Sequence, residues 1–162
     1  PMPVALRFAH RDPVLVDTET LVDFVFDGMD LHRVYLESAL LRSAKFRGCD
    51  IRSGIFKNAD ASGATFQGAA LMNADLTGAL LVGAHFGEAR PIAANFNNAD
   101  LTGADLRRAD VGLATFRHAR LCGSKMHCIR LQEADLTGAL FDQHTQWPDG
   151  FGPFEKGAIG IT

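Results

Sequence analysis

From Leu21 to Phe141, every fifth residue is apolar. The series runs through Leu21, Phe26, Leu31, Leu36, Leu41 and Phe46 to Leu131, Leu136 and Phe141 without a break. Two residues before each of these 25 positions lies a second register, which is Ala at 17 of its 25 places, Ala39 through Ala139 among them. Asp, Asn, Arg, Lys and Thr fill most of the positions between. A period of five matches neither a strand, with period 2, nor an α-helix, with period 3.6. On a helix these residues would scatter around the axis, and on a long strand alternate ones would face opposite sides. The pattern predicts a chain that turns once per five residues and sends one large and one small side chain inward. Gly28, Gly48, Gly63, Gly68, Gly78, Gly83, Gly103, Gly123 and Gly138 all follow a central residue by two. A tight corner calls for a conformationally permissive residue there.

The sequence ADLTG stands at 74–78 and again at 134–138, NADLTG at 98–103, and ADL followed by Arg107 and Arg108 at 104–108. These units resemble the pentapeptide-repeat family, with motif A(D/N)LxG, and the resemblance covers residues 19–143. It implies an all-β fold, a right-handed quadrilateral β-helix of four units per coil, hence about six coils. Stacked at about 4.8 Å they would form a solenoid roughly 30 Å long. On such a frame seven of the eight central Phe residues fall in two opposite columns: Phe26, Phe46, Phe66 and Phe86 in one, and Phe56, Phe96 and Phe116 in the other. Pro91 is the one central residue unable to donate to a ladder, and is read as a local bulge or an outward loop. Residues 1–18 are assigned to an N-terminal cap, with the alternation of Val4, Leu6 and Phe8 and of Val14 and Val16 reading as short strands. Residues 144–162 are assigned to a C-terminal cap or tail, in which Trp147, Phe151 and Phe154 need a surface to cover and are the candidate cap or dimer contacts.

Composition narrows the function. The 162 residues are 47% hydrophobic and 22% charged, with net charge −3, and the pI is about 6.1. This balance argues against a general nucleic-acid or acidic-membrane binder. The first residues, PMPVALRFAHRDP, do not read as a secretory leader, and no apolar run approaches bilayer length. Three cysteines make no disulfide framework, and an odd count fits a reducing compartment; the expected location is cytoplasmic. Asp30, Asp50, Asp60, Asp75, Asp100, Asp105, Asp110 and Asp135 each precede a central residue and read as motif residues bonding near the turn. Cys122, His127 and Cys128 lack metal-ligand spacing, Cys122 and His127 are expected to point outward, and Cys49 is expected to be buried. No nucleophile–base–orienter set is present, so no catalytic, cofactor or metal site is assigned and the chain is read as non-enzymatic.

Two functions compete. One is a structural or protein-interaction solenoid with an unidentified protein partner. Its candidate surface is Leu40, Leu80, Val82 and Leu140 on one side, with Tyr35 and Ile55 on another. The resemblance supports the alternative, a DNA-mimicking protein that binds a type II topoisomerase, as certain family members do; it also implies a homodimer through the C-terminal end. The charge count weighs against mimicry. Residues 17–143 carry 16 acidic and 13 basic side chains, and Arg42, Arg47, Arg52 and Lys57 follow four successive central residues.

Overall fold

The structure is a computed structural model that describes residues 2–162; Pro1, at the start of the N-terminal segment, lies outside the described residues. Its repeating element is a hydrogen-bonded turn. In the unit centred on Leu41, the Ala44 N–H donates back to the Leu41 carbonyl at 3.0 Å, with Ser43 between them at φ 56°. That is the geometry of a turn whose third residue is left-handed. From Asp23 to Gly123 every fifth residue has positive φ. Glycine occupies fewer than half of these corners; Ser, Asn, Asp, Arg, Glu, Ala, His and Leu hold the rest.

Between turns, the backbone bonds to residues about twenty positions away. The Leu41 N–H donates to the Asp60 carbonyl at 2.7 Å, Ser43 to Ser62 at 2.9 Å, and Lys45 to the Phe24 carbonyl at 2.9 Å. Single-residue parallel bridges repeat this relation, as in Leu40 to Asp60, Asp60 to Leu80 and Leu80 to Asp100. The chain therefore comes back beside itself once every four units. We call each such passage a level.

The all-β class and the right-handed quadrilateral β-helix expected from the resemblance are corrected here. Most described residues lie in turns or irregular backbone. Regular strand is confined to β1 (Val4–Phe8), β2 (Val14–Val16), β3 (Val34–Tyr35), β4 (Leu140–Phe141) and β5 (Ile159–Gly160). They form one three-stranded sheet, ordered β2-β1-β3, and one two-stranded sheet, β4-β5; neither closes or curls on itself. The cause lies in the five-residue unit. The turn takes up most of each unit, so extended backbone never runs long enough to become a strand, and pairing stays at one residue per unit.

The core is a single cluster. Central residues from Phe26 to Leu121 and Ala-register residues from Ala44 to Ala119 are buried together. Phe26, Phe46, Phe66 and Phe86 stack face to face, with centroids 4.6 to 4.9 Å apart and planes within 6°. Phe56 meets Phe46 and Phe66 edge-on at 5.7 and 5.9 Å, and Phe96 meets Phe86 likewise at 5.7 Å. The short Ala side chains leave the interior volume these rings fill, consistent with close-packed interiors.

Pro91 produces neither bulge nor loop. It sits buried in register, its carbonyl accepts the turn bond from Ala94 at 3.1 Å, and Ala93 keeps the corner conformation. Proline's missing N–H costs one ladder bond: Arg90 bridges Ala70 on one side but has no bridge to Asp110 on the other. The real irregularity comes later. Asp110 bridges Ile129 rather than Arg130, Arg130 takes the left-handed corner in place of Cys128, and a 3-10 turn at Leu131–Glu133 restores the phase.

The N-terminal alternation forms β1 and β2, antiparallel with Val4 opposite Val16. β1 also pairs antiparallel with β3, Arg7 opposite Tyr35 and Phe8 opposite Val34, and sends Leu6 and Phe8 into the core. At the other end β5 pairs in parallel with β4, Leu140 beside Ile159.

Candidate functional site

The eight aspartates that precede central residues all do the same local work. Each accepts the backbone N–H of the residue two positions on, at 3.0 to 3.2 Å, from Asp30 with His32 to Asp135 with Thr137. Their carboxylates hold the start of each turn and do not converge as an acid–base pair. Arginines take up much of the remaining charge: Arg107 on Asp105 at 2.8 Å, Arg52 on Asp50 at 2.8 Å, Arg42 on Asp60 at 2.6 Å, and Arg130 on Asp110 at 2.8 Å. Hydrogen bonds from Arg107, Arg52 and Arg130 hold the carboxyls of Asp105, Asp50 and Asp110 below their ordinary value, against the opposing effect of burial. The positive charge of the successive Arg42, Arg47, Arg52 and Lys57 is largely cancelled, since Arg47 also pairs, with Asp27 at 2.6 Å.

The apolar candidates occupy two faces. Leu40, Asp60, Leu80, Asp100, Arg120 and Leu140 succeed one another along one column of bridges, continued by Ile159. Leu40 is 65% exposed, Leu80 44% and Val82 41%, while Leu140 is half-buried. Strand spacing places Leu80 about 10 Å from Leu40. Tyr35, 51% exposed, and the half-buried Ile55 are bridged neighbours on the adjoining face. Sequence reasoning missed other exposed apolar side chains. Leu113 occupies a corner, and Ile129 stands in the Ala register but turns outward because of the slip near Arg130. Val25 had a legible signal, since it precedes a central residue as Leu40 does.

The three C-terminal aromatics part company. Trp147 stacks on Phe151 at 5.3 Å and meets Phe141 edge-on at 5.4 Å, both packing on the core. The Trp147 indole N–H is buried without a hydrogen-bond partner. Phe154 meets Phe141 with ring centroids 5.2 Å apart yet remains 70% exposed; Ile159 and Ile161 are exposed as well.

Cys49 is buried, donates to the Phe26 carbonyl at 3.2 Å, and its thiol is pushed up to about 11 by burial. Burial pushes the Cys128 thiol up to about 12. Cys122, expected to point outward, is buried. Neither Cys49 nor Cys128 is a poised nucleophile, because the thiolate is the reactive form. Among the described residues no group of three or more His, Cys, Asp or Glu is arranged around a metal position, and no helix is long and apolar enough to cross a membrane.

A family model described as pentapeptide repeats, present in eight copies, matches residues 30–68, 39–78 and 69–112. Among solved structures, the chain is similar to Rfr23, a pentapeptide repeat protein of the cyanobacterium Cyanothece 51142. Identity is 28% and the TM-score 0.56, over 58% of this chain and 64% of that one. This chain thus matches less than two thirds of Rfr23's length. It is also similar to a pentapeptide repeat protein of the Arabidopsis thaliana thylakoid lumen. Identity there is 30% and the TM-score 0.59, over 64% of this chain and 71% of that one. No curated protein matches. The family model spans just over half of the sequence on the same five-residue units that build the turns, and the chain belongs to the pentapeptide-repeat family, whose members are structural or regulatory rather than catalytic.

Proposed function

We propose that this protein is an interaction module for another protein, with residues 19–143 as its body and the segments 1–18 and 144–162 as caps. Its working face is the column holding Leu40, Leu80 and Leu140, with Val82 beside Leu80, flanked by Tyr35 and Ile55. The observation that carries this reading is the exposure of Leu40 and Leu80 on one bridged column, with the exposed Val82 two residues after Leu80. Aspartates of that column alternate with the leucines, and their carboxylates are engaged by Arg42 and Thr102. The fitting partner therefore presents apolar side chains about 10 Å apart, the spacing of two levels, rather than a basic surface. A topoisomerase-binding DNA mimic fits less well: its face would need unbalanced negative charge, and here arginines neutralise Asp27, Asp50, Asp60, Asp105 and Asp110.

The test is capture from native lysate with wild type, Leu80→Asp, and Gln67→Glu on another face, followed by affinity measurement with the purified partner. Support requires a partner that Leu80→Asp binds at least ten times more weakly, while Gln67→Glu binds as wild type does and all three melt alike. Equal binding by Leu80→Asp removes this face from consideration.

The C-terminal end is the proposed homodimer contact. Phe154, Ile159 and Ile161 are each exposed at this end, and β5 has β4 on one edge only. Exposed strand edges are templates for pairing. Light scattering of wild type against Phe154→Asp decides it: a dimer converted to monomer supports the contact, and a monomeric wild type discards it.

A further inference from the structure

The register joining β1 to β3 has a chemical consequence beyond its ends. Arg7 lies opposite Tyr35 and Phe8 opposite Val34, and the Ala9 N–H donates to the Arg33 carbonyl at 3.1 Å. In an antiparallel pair each step forward on one chain is a step back on the other. The next residues in that register are His10 and His32. Directly opposed side chains project from the same face with Cβ atoms about 5 Å apart, and the two imidazoles indeed meet, ring centroids 5.1 Å apart and planes inclined at 55°.

We propose that His10 and His32 form a two-histidine site for a divalent transition-metal ion, clipping the N-terminal segment to the first repeats. Imidazole nitrogen binds zinc at about 2.0–2.1 Å. A tetrahedral ion held by one nitrogen of each ring sets the ring centroids about 5 Å apart, which is the spacing already present. Imidazole suits zinc, copper and nickel, and affinity rises from nickel to copper. His10 is exposed and His32 half-buried, so water completes the coordination and the ion exchanges freely.

Surrounding charges do not oppose the site. Arg11, next to His10 in the chain, lies over the Phe8 ring at 3.8 Å and pairs with the Asp30 carboxylate at 3.9 Å, while also donating to the Asp30 carbonyl. The same Asp30 carboxylate accepts the His32 backbone N–H at 3.1 Å, fixing that residue's backbone. The other four histidines, His85, His118, His127 and His144, have no histidine ring partner. Loading the clip would tie down β1, which contributes Leu6 and Phe8 to the core.

Calorimetric titration with Ni2+, Zn2+ and Cu2+ as the chloride salts tests the proposal. One ion per chain is expected, weakened at least tenfold by His10→Ala and by His32→Ala and unchanged by His85→Ala. Metal-free melts of each variant check folding. Independently of any variant, Zn2+ should shift the imidazole resonances of His10 and His32 alone, and bound Cu2+ should show two nitrogen ligands by electron paramagnetic resonance. Absence of binding to wild type, full affinity in either histidine variant, or a copper spectrum with one nitrogen overturns it.

Discussion

Truncating Phe66 tests the core most directly. Its ring is fully buried, stacked on Phe46 and on Phe86 at 4.9 Å each, and met edge-on by Phe56 at 5.9 Å. Phe→Ala in a core costs about 3–5 kcal/mol through lost transfer energy and the cavity left behind. Each aromatic pair adds about 0.5–1.5 kcal/mol beyond burial. Phe66 has a stacked partner on both sides, so Phe66→Ala is expected near 5 kcal/mol. Phe116 is equally buried but has one stacked partner, Phe96 at 4.8 Å; Phe116→Ala should cost about 1 kcal/mol less. Phe66→Leu keeps most of the buried volume and should cost about 1–2 kcal/mol. The assay is urea unfolding at 25 °C followed by far-ultraviolet circular dichroism and by the fluorescence of the single tryptophan, Trp147. Coincident transitions license comparison of the free energies. A cost below about 1 kcal/mol for Phe66→Ala would show that the ring is not held in a close-packed interior. Equal costs for Phe66→Ala and Phe116→Ala would leave burial and remove the stacked column as a separate source of stability.

The corners offer a matched pair: Gly103 has φ 67° with nothing within 4 Å of an added Cβ, so Gly103→Ala should destabilise by about 1 kcal/mol through backbone strain alone. Leu113 holds a corner at φ 60° with its side chain exposed, and Leu113→Gly should stabilise by about 0.5–1 kcal/mol in the same urea assay; opposite signs would refute the strain account. Lysine at the buried Ala74 or Ala104 should cost about 3 kcal/mol or more by overpacking and burying charge, whereas Thr77→Lys should cost far less; equal denaturation midpoints would place the Ala register on the surface. Asp50, Asp105 and Asp110 have folded-state carboxyls held below the ordinary 3.8 by their arginines. Their contribution is therefore present above that value and lost as pH falls through the folded values. Melting temperature should stay level from pH 7 to about 5 and drop below about 4, less steeply in Arg107→Gln; an unchanged melt down to pH 2 would contradict it.

Much of the interior was legible because it depends on composition repeated in phase. Phe26, Phe46, Phe66 and Phe86 recur at twenty-residue intervals, so any chain that returns every four units must stack them. The eight aspartates were legible as turn residues for a similar reason: the bond from residue i to the N–H of i+2 is local. The extent of regular strand was not legible. An apolar residue every five positions states that the chain turns, but not that turning leaves no extended run, and the expected β-helix failed on that point. Nor were the corners fully readable. Gly28 and Gly103 announce a left-handed residue, whereas Leu113 and Glu88 hold the same conformation because the levels before and after them impose it.

The candidate surface divides in the same way. Leu40, Leu80 and Val82 could be placed together from their spacing, while the outward turn of Ile129 followed from a one-residue slip that the unbroken count from Leu21 to Phe141 conceals. Sequence alone determined the repeating unit, the identity of its inward side chains and the family to which the chain belongs, because each rests on contacts within five residues or on a strict period. Tertiary structure alone decided which arginine neutralises which aspartate, that Trp147 and Phe151 pack inward while Phe154 does not, and that His10 faces His32. Those outcomes depend on levels and chain ends brought side by side in space, and no local pattern encodes that adjacency.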